Sequence, residues 1–500
     1  MSPEISQTAR RSKNLFLLAL ISLGALLVEG YHPGVEDDAV YLSAIRRRLN
    51  PALYPHDFRW FTLQMQASVF DRLMAALVRF THIPLPWMEL LGQFLAAFFV
   101  LRGCWIVARR CFPGKAAQWA SVALVGVLFT LPVTGTALYL FDQYLHPRAI
   151  ATALILAAIP AVLDRRVLRS AALLVAAVVV HPIMGVLGVS WCVILGVGGW
   201  LEQRSAERKL AELEPVTAAA LGIVPLWIFE GTSPAWRLAL NTRNYYFLGR
   251  WTWYEWLGVI GPVCILWMMA RWARRADRPV MARLAACGAF FAVFQFAVAC
   301  ILLLTPGLIR LMPLQPMRYL YMVYLLMAVL AGGLIGEKLL RGHAWRWAVL
   351  FVPLALGMFA GQRSLFPGTA HLELPWTAPR NPWLQAFAWV RHNTPTDAYF
   401  ALDPYYMQAP GEDYHSFRAL AERSELADAV KDAAVATQVP ELAPQWQRQT
   451  QALAGWSHFQ KQDFLRLRSE FGVNWILVRG PGVAGLDCPY RNQAVAVCRL

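Results

Sequence analysis

Glu36, Asp37 and Asp38 stand in a row just after the first long apolar run, inside Gly30–Arg59, GYHPGVEDDAVYLSAIRRRLNPALYPHDFR. Carboxylates placed where a membrane-crossing chain re-enters water can hold a cation or take a proton from a hydroxyl. Tyr41, Arg46, Arg47, Arg48, His56 and Asp57 follow closely, so acids, bases and aromatic groups crowd one short loop of a mostly apolar chain. Like charges this close raise at least one pKa, which suits a base. The other role open to the acids is a solvated cap on a helix beginning near Ala39, and the two roles are compatible.

A second stretch, LYLFDQYLHPRAI, repeats the pattern on a smaller scale. Asp142 offers a second acid or metal ligand, and His146 and Arg148 open the next span where a phosphate would sit. The alternative is an interfacial belt of Tyr139, Tyr144 and His146 with Arg148 snorkelling to the surface. His181 precedes Pro182 in the middle of an apolar stretch, where a polar group either lines a cavity or caps a helix. Arg243, Arg310 and Arg318, with Arg237 and Arg250, fall in loops of the side on which the orientation rule disfavours positive charge. A lipid phosphate, gripped bidentately by guanidinium, is one partner for them; nearby acids or membrane phospholipids are the other.

The elements that must position these groups are membrane spans. Hydrophobic residues make up 57% of the chain and charged ones 15%, with a mean hydropathy of +0.41, beyond the apolar share of a soluble domain. The net charge of +15 does not point to nucleic acid, because Lys and Arg collect in short clusters between apolar runs. Eleven runs are candidates to cross the bilayer: 15–29, 85–108, 117–133, 149–163, 167–180, 183–201, 216–230, 252–270, 280–304, 318–336 and 345–361. Basic clusters then follow every second crossing (Arg10/Arg11/Lys13, Arg109/Arg110/Lys115, Arg165/Arg166/Arg169, Arg204/Arg208/Lys209, Arg271/Arg274/Arg275/Arg278 and Lys338/Arg341/Arg346), which puts the N-terminus inside and the C-terminus outside. This alternation requires two short spans turning at His181-Pro182 in place of one kinked helix. The apolar run after the N-terminus lacks a small-residue cleavage site, so it reads as a retained first span.

Two regions follow: a membrane module, 1–361, with surface helices over 36–50 and 60–80 of its first outer loop (30–84), and an extracytoplasmic α/β region, 362–500. There, 381–392, 413–433 and 457–471 read as helices, and 397–402, 473–479 and 493–499 as strands. Six cysteines lie in or beside spans as apolar filler. Cys488 and Cys498 flank an expected hairpin, either bridged or as two unrelated thiols. The sequence contains no CxxC or HExxH metal-ligand spacing, phosphate loop or GxGxxG fingerprint, so nucleotide-driven chemistry is unsupported.

One span, an outer loop opening DDAVYLSAIRRRL (Asp37 to Leu49), surface helices, many further spans and an outer C-terminal region together resemble the GT-C superfamily of membrane glycosyltransferases, which includes protein mannosyltransferases, aminoarabinose transferases and oligosaccharyltransferases. The resemblance implies a sugar taken from a polyprenyl-phosphate carrier on the non-cytoplasmic face. It places Asp37 at the catalytic or metal-binding position. Asp142, the second acid or metal ligand that the second loop offers, could join it in holding a divalent cation, Mg or Mn. It also implies a lipid, glycan or protein acceptor of the cell envelope and, in a bacterium, an inner-membrane protein facing the periplasm. Asp38 departs from the Glu of many members, and the C-terminal region has no WWD-type motif, which counts against oligosaccharyltransferase activity. Two other classes stay open: a transporter or flippase of lipid-linked or anionic material, for which an inverted repeat is expected and none is seen, and a non-catalytic envelope scaffold.

Overall fold

The computed structural model describes residues 3–207 and 231–500. The apolar run 216–230 and the basic residues Arg208 and Lys209 lie outside the described residues, as do the side chains of Arg10 and Arg11. Among the described residues, seven helices are long and apolar enough to cross a membrane, as a multi-pass membrane protein requires. They lie in α1 (Pro3–Glu29), α5 (Leu85–Cys111), α9 (Pro182–Glu207), α11 (Trp253–Arg275), α12 (Pro279–Leu304), α13 (Tyr319–Ile335) and α14 (Ala344–Leu365). Three expected spans form shorter helices, α6 (Lys115–Val127), α7 (Pro147–Leu163) and α8 (Val167–Val180). The run 117–133 stops early because the chain turns into a small antiparallel hairpin, β1 (Pro132–Val133) with β2 (Leu138–Tyr139). α13 is buried along most of its length and forms the centre of the bundle, whereas α14 buries almost nothing and faces outward.

α8 and α9 are two helices meeting at His181, as the basic-cluster alternation required. They run antiparallel. A Cβ on Gly185 would strike the Val178 backbone at 2.4 Å, and Ser170 and Leu174 share a groove with Val193 and Trp200. Glycine allows this close turn. Among the described residues, the basic groups at the helix ends opposite the first loop find acid partners. There Arg110 grips Asp164 through two bonds of 2.6 Å, Arg278 grips Glu337 at 2.6 and 2.7 Å, and Arg283 reaches Glu202.

The first loop and the C-terminal region meet at the opposite end. Within the loop, α2 (Asp38–Leu49) forms as the apolar spacing predicts, but the expected helix 60–80 is broken into α3 (Arg59–Thr62), a 3₁₀ turn at 64–67 and α4 (Phe70–Thr81). The break has a cause. Ser68 turns extended, its Oγ donates to the Val180 carbonyl at 2.6 Å, and the Val69 amide donates to Val179, so this segment docks on the end of α8.

In the C-terminal region a five-stranded mixed sheet has the order β4-β3-β5-β7-β6, with β3 (Tyr399–Ala401), β4 (Ser424–Glu425), β5 (Trp475–Arg479), β6 (Asp487–Arg491) and β7 (Val495–Arg499). Side chains alternate between its faces, as a period of two demands. Phe400, Trp475, Leu477 and Val497 pack with Phe387 of α15 (Pro382–Asn393). Tyr399, Ile476, Val478 and Ala496 pack on the other face with Phe464 and Leu467 of α19 (Lys461–Phe471). Cys488 and Cys498 are bridged.

The expected helix 413–433 is absent. In its place are α16 (Phe417–Ala421), β4 and α17 (Lys431–Gln438), followed by α18 (Ala443–Ala452). Its polar residues Asp413, His415, Arg418, Glu425 and Asp432, with Glu412 just before it, are all buried, held by partners in the segment after α14, the first loop and one another. Those tertiary bonds displace the helix ladder.

Candidate active site

The acids are aimed by a short turn that the C-terminal region holds open. Val35 pairs with His415 in an isolated bridge, the Ser416 amide donates to the Gly34 carbonyl at 2.8 Å, and the Glu36 amide donates to Tyr414 at 3.1 Å. Gly34 has φ +84, and a Cβ there would sit 2.7 Å from Leu420, so the turn needs glycine. Glu36 is itself left-handed, at φ +52. The turn ends as α2 begins, so Asp37 and Asp38 leave the helix end in different directions.

Asp37 occupies the N-cap position, yet its side chain makes no capping bond. Its backbone amide donates to Tyr144 Oη at 3.2 Å, and its carboxylate faces Lys431 Nζ at 3.1 Å, while Lys431 also bonds Glu36. On the other side stands His146. Its Nδ1 accepts the Arg148 amide at 2.9 Å, so Nε2 carries the proton of the neutral ring and points at Asp37 Oδ2 from 3.8 Å. Burial pushes the Asp37 carboxyl up, but the Lys431 ammonium, with His146 and Arg318, outweighs it and holds the group well below the usual carboxylate range. Asp37 is therefore ionised at neutral pH.

Asp38 turns the other way. Its Oδ2 accepts the Gly34 amide at 2.7 Å, it is buried, and burial pushes its pKa to about 7. The raised carboxyl expected of an acid pair is thus Asp38, which stabilises the turn, and not Asp37.

Asp37, Tyr41, His181, Arg310, Arg318 and Lys431 line one cavity of about 510 Å³, with Gln64 and Ser68 from the broken helix on its wall. Tyr41 lies edge-on to His146 at 4.7 Å. His181 serves both roles expected for it: Nδ1 accepts the Met184 amide at 3.3 Å, capping α9, and the ring lines the cavity 5.6 Å from His146. Arg310 donates to the Gly231 carbonyl at 2.6 Å. The Arg318 amide donates to the Gln315 carbonyl at 2.9 Å, but its guanidinium has no hydrogen-bond or ion-pair partner among the described residues, and its Nε is buried without one. That leaves a guanidinium facing the cavity with its donors available.

Other expected binding residues lie outside this cavity. His56 stacks on Tyr399 at 4.6 Å and faces the Asp397 carbonyl, away from the acids. Asp57 is sealed against Arg418 at 2.6 Å and the Glu425 amide at 3.0 Å. Arg243 reaches the Ala429 and Val430 carbonyls, so it anchors the chain just before Lys431 instead of gripping a ligand. Asp142 and Arg148 are buried as a bidentate pair behind the wall, supporting His146 from below.

The divalent cation expected between Asp37 and Asp142 does not fit this donor set. Such an ion takes about six oxygen ligands at roughly 2.0–2.6 Å. Here Asp142 is engaged by Arg148, His146 lies between the two acids at 3.8 and 4.0 Å, and Lys431 occupies the open side of Asp37. Among the described residues no group of three His, Cys, Asp or Glu is placed to hold a metal.

Lys431 and Arg418 are the residues that sequence reasoning missed. Arg418 binds Asp57, Asp432 (3.0 and 3.2 Å) and, more distantly, Glu425. Lys431 carried a faint signal, being one of only two lysines after residue 361 and set between Asp428 and Asp432. Nothing local connected it to an acid nearly four hundred residues earlier.

No family model matches the sequence, and no curated protein does. Among solved structures the chain is similar to the Archaeoglobus fulgidus oligosaccharyltransferase in the apo form, at 11% identity and a TM-score of 0.40, over 93% of this chain and 69% of that one. It is also similar to the archaeal oligosaccharyltransferase AglB from the same organism in complex with an inhibitory peptide and a dolichol-phosphate, at 11% identity and a TM-score of 0.39, over 94% and 70%. Superpositions this loose leave the functional reading to the site itself.

Proposed function

We propose that this protein is a membrane glycosyltransferase that moves a sugar from a polyprenyl-phosphate carrier to a hydroxyl of an envelope lipid, glycan or protein. The observation that carries the reading is one cavity holding an ionised carboxylate, Asp37, and a guanidinium without a partner, Arg318. Transfer needs both. As the bond from the anomeric carbon to the phosphate breaks, its electron pair goes to the phosphate oxygen, where Arg318 supplies charge-assisted donors. The acceptor oxygen bonds to the same carbon and its proton passes to Asp37. A carboxylate of low basicity suits a late transfer, when the acceptor hydroxyl has become acidic through bonding to carbon. The reading puts the site on the non-cytoplasmic face, the periplasm if the host is bacterial; the alternation of basic clusters along the sequence supports it.

A second cavity, about 1010 Å³, lies on the other face of α2 and is lined by Arg46, Glu89 and Glu373. It is the larger one, but it lacks Asp37 and so lacks the pairing that transfer needs. The experiment is reconstitution of the full chain in liposomes with a labelled polyprenyl-phosphate sugar. The glycosyltransferase reading expects free polyprenyl phosphate and label on an acceptor. A flippase would move the intact carrier between leaflets with its sugar attached.

A further inference from the structure

Among the described residues, the Lys431 ammonium is the only cation bonded to the Glu36 and Asp37 carboxylates. It is also built into place. Asp428 Oδ1 accepts the Val430 and Lys431 amides at 2.6 and 2.5 Å, which fixes the first turn of α17. Asp432, the next residue, is locked to buried Arg418 and through it to Asp57 of the first loop. Arg243 holds the carbonyls of Ala429 and Val430. Anchors from the first loop, the α10 (Pro234–Asn241) segment and the C-terminal region thus converge on one short stretch. A lysine that only decorated the surface would not need them.

We propose that Lys431 stands where a divalent cation would otherwise be, so that the acid pair at Asp37 is held and neutralised by the protein's own ammonium and sugar transfer at this site is independent of metal. A fixed ammonium supplies one positive charge and N–H donors at about 2.7–3.1 Å. It keeps Asp37 ionised and aimed into the cavity, and needs no ligand set from Asp142. That is why Asp142 is free to pair with Arg148. Lys431 is in this sense a positioning residue: in the transfer step it stays protonated while Asp37 takes the acceptor proton. The proposal rests on the glycosyltransferase reading for its consequence, but its structural claim stands apart from it.

The test uses the detergent-purified full chain and two measurements. Mn²⁺ titration followed by electron paramagnetic resonance compares the parent with Asp37→Asn. The proposal expects identical titrations, with no bound Mn²⁺ that depends on Asp37; a stoichiometric Mn²⁺ site present in the parent and lost in Asp37→Asn overturns it. This arm decides the claim even if no sugar transfer is ever observed, which would count against the functional reading alone. In the transfer assay, the parent is expected to keep its rate after chelation with EDTA. Lys431→Met is expected to fall at least tenfold, with Lys431→Arg recovering part of the loss in kcat at unchanged donor KM. Transfer abolished by EDTA and restored by Mn²⁺ overturns the proposal, as does a Lys431→Met protein that folds and transfers at the parental rate.

Discussion

Asp57, Arg418 and Asp432 expose 0%, 2% and 1% of their side chains, whereas Asp37, Glu36 and Lys431 expose 39%, 40% and 12%. Both clusters join the first loop to the C-terminal region, and both combine two acids with one base. The first is closed on every side by protein and can only hold the two regions together. The second has an open side, onto the cavity that Arg318 also faces. Ion pairing alone therefore says little about function; what matters is whether a charged group still has room for a partner that the chain does not supply.

Mutation should separate the two clusters. Arg418→Ala leaves two buried carboxylates without their counter-charge, a change that costs about 3–5 kcal/mol, and should lower the thermal midpoint sharply and free the C-terminal region to proteolysis. Limited proteolysis unchanged from the parent would place the clasp elsewhere. Arg318→Ala should leave stability near the parental value but weaken binding of polyprenyl phosphate by about one to two orders of magnitude, from the loss of a contact worth roughly 1.5–3 kcal/mol. Lys at that position should rescue only part of it, having no planar fork. Equal affinity in parent and Arg318→Ala, measured by equilibrium binding in detergent, would remove Arg318 from the site.

A separate buried cluster, His32, Glu373 and His415, has a pH signature. Glu373 accepts from His32 at 2.7 Å and His415 at 3.0 Å. Burial opposes its charge, but His415 and His32 pull its carboxyl down from an ordinary 4.5 to about 2. Its contribution is therefore present above pH 4.5 and is lost as pH falls towards 2. His415 is raised above its ordinary 6.5, because Glu373 outweighs burial, so its contribution is full below pH 6.5 and fades as pH rises through the raised value. His32, kept neutral by burial, opposes this on the acid side. His415→Asn should consequently lose more stability at pH 6 than at pH 9, read as the difference in thermal midpoint from the parent. A gap of the same size at both values would contradict the pairing. The smallest effect is expected of Arg243→Ala, a few-fold fall in transfer with donor affinity unchanged, because it removes backbone bonds worth about 1 kcal/mol each and loosens Lys431 without touching the cavity.

Much of the frame was legible in residue order. Hydropathy located the seven helices among the described residues that are long and apolar enough to cross a membrane, and the alternation of basic clusters demanded the turn seen at His181-Pro182, because both are properties of contiguous sequence. Assigning loops to one side put Asp37, Tyr41, Arg310 and Arg318 on the same side of the membrane, but only the fold shows that they and His181 line one cavity. The failures share a cause. Reading 413–433 as a helix ignored buried polar residues whose partners lie elsewhere, and Asp57, His56 and Arg243 were assigned to a ligand although their partners are protein. Lys431 could not be connected to Asp37 by any local signal. Cross-chain pairing of charges is invisible to periodicity, and in this protein it decides which carboxylate stays open.

The most direct measurement is single-turnover transfer by reconstituted Asp37→Asn beside the parent, with donor binding determined on the same samples. The amide keeps the size of the side chain and removes the proton acceptor, so transfer should fall by about 10²–10⁴-fold while donor affinity stays within a few-fold of the parental value. An Asp37→Asn protein that binds the donor and transfers its sugar at the parental rate would contradict the account.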